Sequence, residues 1–220
     1  MMEKIFFRTK DGVTIAGNYS KSQEEHAPAF LLLHMMPSTK ESWTEFAALL
    51  QERGFEVLAI DLRGHGESID KNGGKINYRD FTDEEHRESI LDIAASKEFL
   101  KQKGADTSRL AIAGASIGAN LALLWASTDK DIRLLLLLSA GVDYRGIRTP
   151  ELARIYENPV YILASEKDTR NAGSSSRILF GMFPGDKKLN IIQGNSHGTD
   201  MFSFQPDLMD EILEWVVARS

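Results

Sequence analysis

Short, almost purely apolar runs recur along this chain, separated by polar or helix-forming segments. They are 29–34 (AFLLLH), 57–60 (VLAI), 110–113 (LAIA), 134–138 (LLLLL), 160–164 (VYILA) and 189–192 (LNII). A strand with one wet face alternates apolar and polar residues, whereas a run without alternation needs cover on both faces. Segments 40–53, 83–103, 117–127, 174–182 and 206–218 read as helices, the first two followed by Gly54 and Gly104. Apolar strands alternating with helices restrict the chain to an α/β architecture, a mostly parallel sheet between two helical layers. The start differs: residues 5–20 (IFFRTKDGVTIAGNYS) read as two strands joined by Asp11-Gly12, a strong hairpin signal. The expectation is one three-layer α/β domain over residues 1–220, with an antiparallel N-terminal hairpin at one edge of the sheet.

Charge narrows the partners. The net charge is -6 and the basic residues are scattered, which argues against nucleic acid or an anionic membrane surface. The longest purely apolar run, 134–138, is too short to cross a bilayer, and the N-terminus lacks a signal-type apolar core. A cytoplasmic protein is expected, with its oligomeric state open. The absence of cysteine excludes disulfides, thiolate nucleophiles and cysteine-type zinc sites. No two histidines share a metal-ligand spacing on one element, so neither metal nor cofactor is expected.

In a parallel sheet, ligands bind beyond the carboxyl ends of the strands. There, Gly114-Ala115-Ser116-Ile117-Gly118 joins an apolar strand to a helix. A sharp strand-to-helix turn projects a serine hydroxyl but crowds its own backbone, so small residues are needed two positions either side. The helix starting at Ile117 aims N–H groups and its positive dipole end at developing negative charge. The bland reading is a capping serine in a Gly-containing turn. A phosphate-binding loop fits less well, because the Gly-x-Gly-x-x-Gly spacing is missing and no Gly-Lys-Ser/Thr follows.

Asp168 follows the strand 160–164, and His197 sits in a polar loop after the strand 189–192. The order Ser116, Asp168, His197 is one of three known orders for a serine triad. Glu166 and Asp143 are rival acids. Among the other histidines, His26 and His86 lie in charged segments, while His34 and His65 precede the serine.

Four stretches, taken in order, resemble the α/β-hydrolase superfamily over nearly the whole chain, in particular its lidless serine esterases and dienelactone-hydrolase-like members. Residues 31–43 (LLLHMMPSTKESW) are similar to its strand, oxyanion loop and following helix. Residues 61–68 (DLRGHGES) are similar to its Asp-x-Arg-Gly-x-Gly-x-Ser turn, residues 114–118 to its nucleophile elbow, and 165–168 with 195–198 to its acid and histidine segments. The resemblance implies an oxyanion hole from the backbone N–H groups of Met35 and Ile117 and a structural task for the 61–68 turn. Met35 departs from the glycine common at that position.

The implied reaction is hydrolysis of a small-molecule carboxylic ester through an acyl-enzyme. Thioesterase, lactonase and small-peptide hydrolase are alternatives on the same triad, and a silent ligand- or partner-binding domain is the alternative from another class. Residues 141–159 have room for one short helix but not for a lid domain. Met35, Met36, Trp43, Tyr144, Phe183, Met201 and Phe202 are the candidate walls of an open site.

Overall fold

The structure, a computed structural model, describes residues 2–219. Its first half contains β1 (Met2–Arg8), β2 (Val13–Ser20), β3 (Pro28–Leu33), α1 (Thr44–Glu52), β4 (Glu56–Ile60), β5 (Asp70–Lys71), β6 (Gly74–Lys75), α2 (Asp83–Arg87) and α3 (Ile90–Lys103). Then follow β7 (Asp106–Ala115), α4 (Ile117–Ala126), β8 (Ile132–Leu138), β9 (Asp143–Tyr144), β10 (Ile147–Arg148) and α5 (Pro150–Ile155). The chain closes with β11 (Val160–Ser165), α6 (Ala172–Met182), β12 (Lys187–Ile192), α7 (Asp200–Phe204) and α8 (Leu208–Val217).

The apolar runs lie side by side. β12, β11, β8, β7, β3 and β4 are parallel, in that order. β2 adds antiparallel to β4 and pairs with β1 through the Asp11-Gly12 turn, where Gly12 takes φ 87°. Successive strand side chains face opposite ways. In β3, therefore, Leu31 and Leu33 enter one core while Phe30 and Leu32 enter the other. The first core is closed by α3, α4 and α6 through Ile93, Leu121 and Leu179. The second is closed by α1 and α8 through Phe46, Leu50, Ile212 and Val216. Three layers and an edge hairpin result. No helix among the described residues is long and apolar enough to cross a membrane.

Three segments differ from the expected pattern. Residues 40–53 begin as a 3-10 turn, Lys40–Trp43, before α1. The expected helix 83–103 is split into α2 and α3, and the break sets Asp92 on α3 against Arg63, which donates to it from Nε and from its backbone N–H, both at 2.9 Å. Between β8 and β11 the chain forms the β9–β10 hairpin and the short α5, with no lid domain.

The turn after β4 anchors this end of the sheet with buried charge. Asp61 is fully buried and accepts from Lys40 Nζ at 2.8 Å, Lys40 N–H at 2.8 Å and Glu67 N–H at 2.9 Å. A Cβ at Gly66 would lie 2.2 Å from Asp61 Oδ2, so only glycine lets the turn close on that carboxylate. Ser68 accepts from Ala16 N–H at 2.9 Å and donates to Asp61 O at 2.7 Å, tying the turn to the hairpin. Removing one member of a buried ion pair leaves the other uncompensated. Lys40→Met is expected to lower the unfolding free energy by about 3 kcal/mol in urea titration, with secondary structure intact by circular dichroism.

Candidate active site

The order of the parallel strands reverses at β3, with β4 on one side and β7 on the other, which opens a crevice at their carboxyl ends. β7 ends at Ala115 and α4 begins at Ile117, so residue 116 alone makes the turn. It does so at φ 55°, ψ -118°, a strained conformation for a residue with a side chain. The flanking glycines are required for space. A Cβ at Gly114 would lie 2.2 Å from Gly118 O, and one at Gly118 would lie 2.5 Å from Leu33 O and 2.7 Å from His34 O. The elbow is thus pressed against the loop that leaves β3.

The end of β8 holds the elbow and the histidine loop together. Ser116 N–H donates to Leu138 O at 2.8 Å, and Gly198 N–H donates to Ser139 Oγ at 2.9 Å. A Cβ on Gly198 would approach Ala115 Cβ to 3.2 Å, so the segment carrying His197 abuts the segment carrying Ser116. His197 Nδ1–H donates to Asp168 Oδ2 at 2.5 Å, and both residues are buried. Asp168 Oδ1 accepts from Arg170 N–H at 2.9 Å, and the Ser139 hydroxyl donates to the same carboxylate. Burial pushes the Asp168 carboxyl up, but these hydrogen bonds, led by that of His197, outweigh burial and hold it below the usual range. The other imidazole nitrogen, His197 Nε2, is buried with no hydrogen-bond partner.

Neither rival acid bonds His197. Asp143 accepts from Gly146 N–H at 2.9 Å within the β9–β10 hairpin, and Glu166 is half-exposed and paired with Arg177. Ser139 was not singled out, because its role is visible only once β8, β11 and the histidine loop lie side by side.

Met35 follows β3 and does not take a positive φ, so its side chain brings no backbone strain to the loop that leaves β3. Ile117 opens α4, and its N–H lies in the first turn, where no intrahelical carbonyl reaches it. His34 braces this loop from beneath. Its Nδ1–H donates to Met35 O at 2.8 Å and its Nε2 accepts Leu62 N–H at 3.0 Å, which fixes a neutral tautomer. His65 packs edge-on against His34 at 4.9 Å and stacks flat on Tyr78 at 3.8 Å.

Ser116 opens into a cavity of about 410 Å³ whose walls include Met36, Pro37, Tyr78, Ile117 and Tyr144. Of the expected walls, Met36 and Tyr144 line this cavity. The other expected walls are corrected. Trp43, Met201 and Phe202 are buried in the core beneath α1 and α7, where Phe202 stacks on Phe46 at 5.5 Å. Phe183 is buried in the opposite core, and the Met35 side chain is also core. The apolar bulk of these residues drives them under the sheet faces rather than to its rim. Tyr78 was missed because it lies in the excursion 64–81, whose Asn72-Gly73 turn is the hairpin signal that marks it. Among the described residues no group of three or more His, Asp or Glu side chains has a metal-holding arrangement.

A family model described as the alpha/beta hydrolase fold matches residues 28–154, which include β3, the 61–68 turn and the elbow. The chain belongs to the α/β-hydrolase fold family. Solved structures superpose along nearly its full length. DcsB, solved in complex with its substrate analogue, is 16% identical, with 100% of both chains covered and a TM-score of 0.85. A cold-adapted esterase from an Arctic intertidal metagenomic library is 24% identical over 99% of this chain and 93% of its own, with a TM-score of 0.79. A dienelactone hydrolase from Anabaena variabilis is 15% identical over 99% of this chain and 96% of its own, with a TM-score of 0.73. At these identities the likeness is one of fold. No curated protein sequence matches the chain.

The two buried histidines in edge-on contact give this hydrolase fold a pH signature. Burial lowers His34 from 6.5 to about 4. Burial, followed by the neighbouring His34, lowers His65 from 6.5 to about 3. The unfolded chain therefore takes up these protons before the folded chain does. Stability is full above about pH 6.5 and falls as pH drops toward 4, by about 1.4 kcal/mol per pH unit for each histidine. Urea midpoints measured across this window are expected to fall steadily. His65→Phe, which keeps the ring on Tyr78, is expected to flatten the slope.

Proposed function

We propose that this protein is a serine hydrolase that cleaves a small carboxylic ester through an acyl-enzyme. The observation that carries the reading is the Asp168–His197 bond, with the remaining imidazole nitrogen buried and unpartnered where the histidine loop meets the elbow of Ser116. A nitrogen in that state is an acceptor awaiting a proton, and catalytic hydrogen bonds commonly tighten only around substrate.

In this mechanism His197 Nε2 takes the Ser116 hydroxyl proton as Oγ attacks the acyl carbon. Asp168, ionised and fixed by Ser139 and Arg170, holds the imidazole in the needed tautomer and stabilises its charged form. The N–H groups of Met35 and Ile117 receive the oxyanion. His197 then delivers the proton to the departing alkoxide, and water, activated by the same nitrogen, releases the acid and restores Ser116. The cavity, open and without a lid domain, suits small substrates over long-chain lipids.

A fluorophosphonate is expected to label the native protein at Ser116, and Ser116→Ala to abolish labelling. Ser116→Ala and His197→Ala are each expected to cost about 10⁶-fold in kcat toward p-nitrophenyl acetate, and Asp168→Asn about 10⁴-fold. Unlabelled native protein with no turnover on ester, thioester, lactone or peptide substrates would move the chain to the silent ligand-binding alternative.

A further inference from the structure

The cavity that holds Ser116 carries charge that the hydrolytic chemistry does not use. Arg145 and Arg170 both line it, in a chain whose net charge is -6. Arg145 stands at the tip of the β9–β10 hairpin, held there at φ 53° with Gly146 at φ 70° beside it. Its nearest carboxylate, Asp83, is 3.9 Å away, at the limit of an ion pair. Arg170 enters from the loop after β11. Its backbone is bound to Asp168, but its side chain has no ion pair among the described residues. Tyr144 lines the same cavity, and its ring packs over Gly141 so closely that a Cβ there would approach it to 2.6 Å. The Tyr144 hydroxyl is buried without a partner. Burial, then the charge of Asp168, pushes this phenol up to about 12, so it keeps its proton and donates. One carboxylate, Asp143, also lines the cavity, and it is occupied by Gly146 N–H at 2.9 Å.

Donors whose only side-chain acceptor is a carboxylate 3.9 Å from Arg145 leave the wall of this cavity short of one. Planar guanidinium groups match a carboxylate, and an arginine without an internal partner keeps its full capacity for one. We propose that the substrate is an ester bearing a carboxylate away from the scissile carbonyl, held by Arg145, Arg170 and the Tyr144 hydroxyl. This assignment rests on the hydrolase reading above and names its substrate class. The hairpin Asp143–Arg148 then takes the place of a lid as the element that selects substrate.

The test compares charged and neutral partners of similar size. p-Nitrophenyl hemiglutarate against p-nitrophenyl valerate places the carboxylate on the acyl side; 4-acetoxybenzoate against phenyl acetate places it on the alcohol side. In one of the two pairs the wild-type kcat/KM ratio is expected to favour the anion by about tenfold or more. The ratio should shrink in about 0.5 M salt, where exposed charges are screened. Arg145→Gln and Arg170→Gln should each cut the ratio by about tenfold, and Tyr144→Phe by less. Arg109→Gln, the same charge change at the start of the β7 apolar run, should leave it in place. Ratios near one in both pairs, or a ratio unmoved by both arginine variants, would overturn the carboxylate site while the hydrolase reading stands. No turnover of any ester, with no labelling of Ser116, would remove both.

Discussion

The structure depends on one close approach: the backbone of the β7–α4 turn pressed against the carbonyls of Leu33 and His34. The contact exists because residue 118 carries no Cβ, while the lack of one at residue 114 lets the turn close on Gly118 O; together they hold Ser116 at a backbone conformation that costs about 1–3 kcal/mol. That cost is met by the packing on either side. β7 is the middle of the parallel sheet and α4 is buried along nearly its whole length. A strained residue survives where its surroundings over-determine it, and here they are among the most buried in the molecule. Relaxing the turn would separate strand from helix and swing the hydroxyl away from the cavity.

Around this point the chain uses polar struts in place of apolar packing. His34 links the loop after β3 to Leu62; Asp61 gathers Lys40 and Glu67; Arg63 joins Asp92 and, at 3.0 Å, Asp11. Loops at the rim of a sheet have few apolar neighbours, so their geometry is held by directional bonds. Each strut has at least one partner twenty or more residues away in sequence, so removing that partner leaves a buried polar group unpaired. The rim around Ser116 is braced by these bonds from below and open above, because the β9–β10 hairpin and α5 are too short to cover it.

The cavity walls follow from the same division of labour. Trp43, Met201 and Phe202 are large and apolar, and the free energy of burial takes them into the core under α1 and α7. What remains at the mouth is mixed: Met36, Pro37 and Ile117 stand beside Tyr78, Tyr144, Asp143, Arg145 and Arg170. Composition at the rim is thus set by what the core leaves over.

The three-layer fold was legible in residues 29–34, 57–60, 110–113, 134–138 and 160–164, because unalternating apolar strands have only one stable solution. The elbow was legible too, because a serine flanked by glycines at a strand-to-helix junction is a local property of the backbone. Which acid faces His197 was a choice among Asp143, Glu166 and Asp168, and only the alignment of β8, β11 and β12 made it. The split between α2 and α3, the bond from Ser139 to Asp168, and the arginines facing Ser116 were likewise decided in three dimensions. Periodicity and turn chemistry act over a few residues and can be read along the chain. Contacts between the ends of distant strands depend on how the whole sheet twists and packs, and no short stretch of sequence contains them.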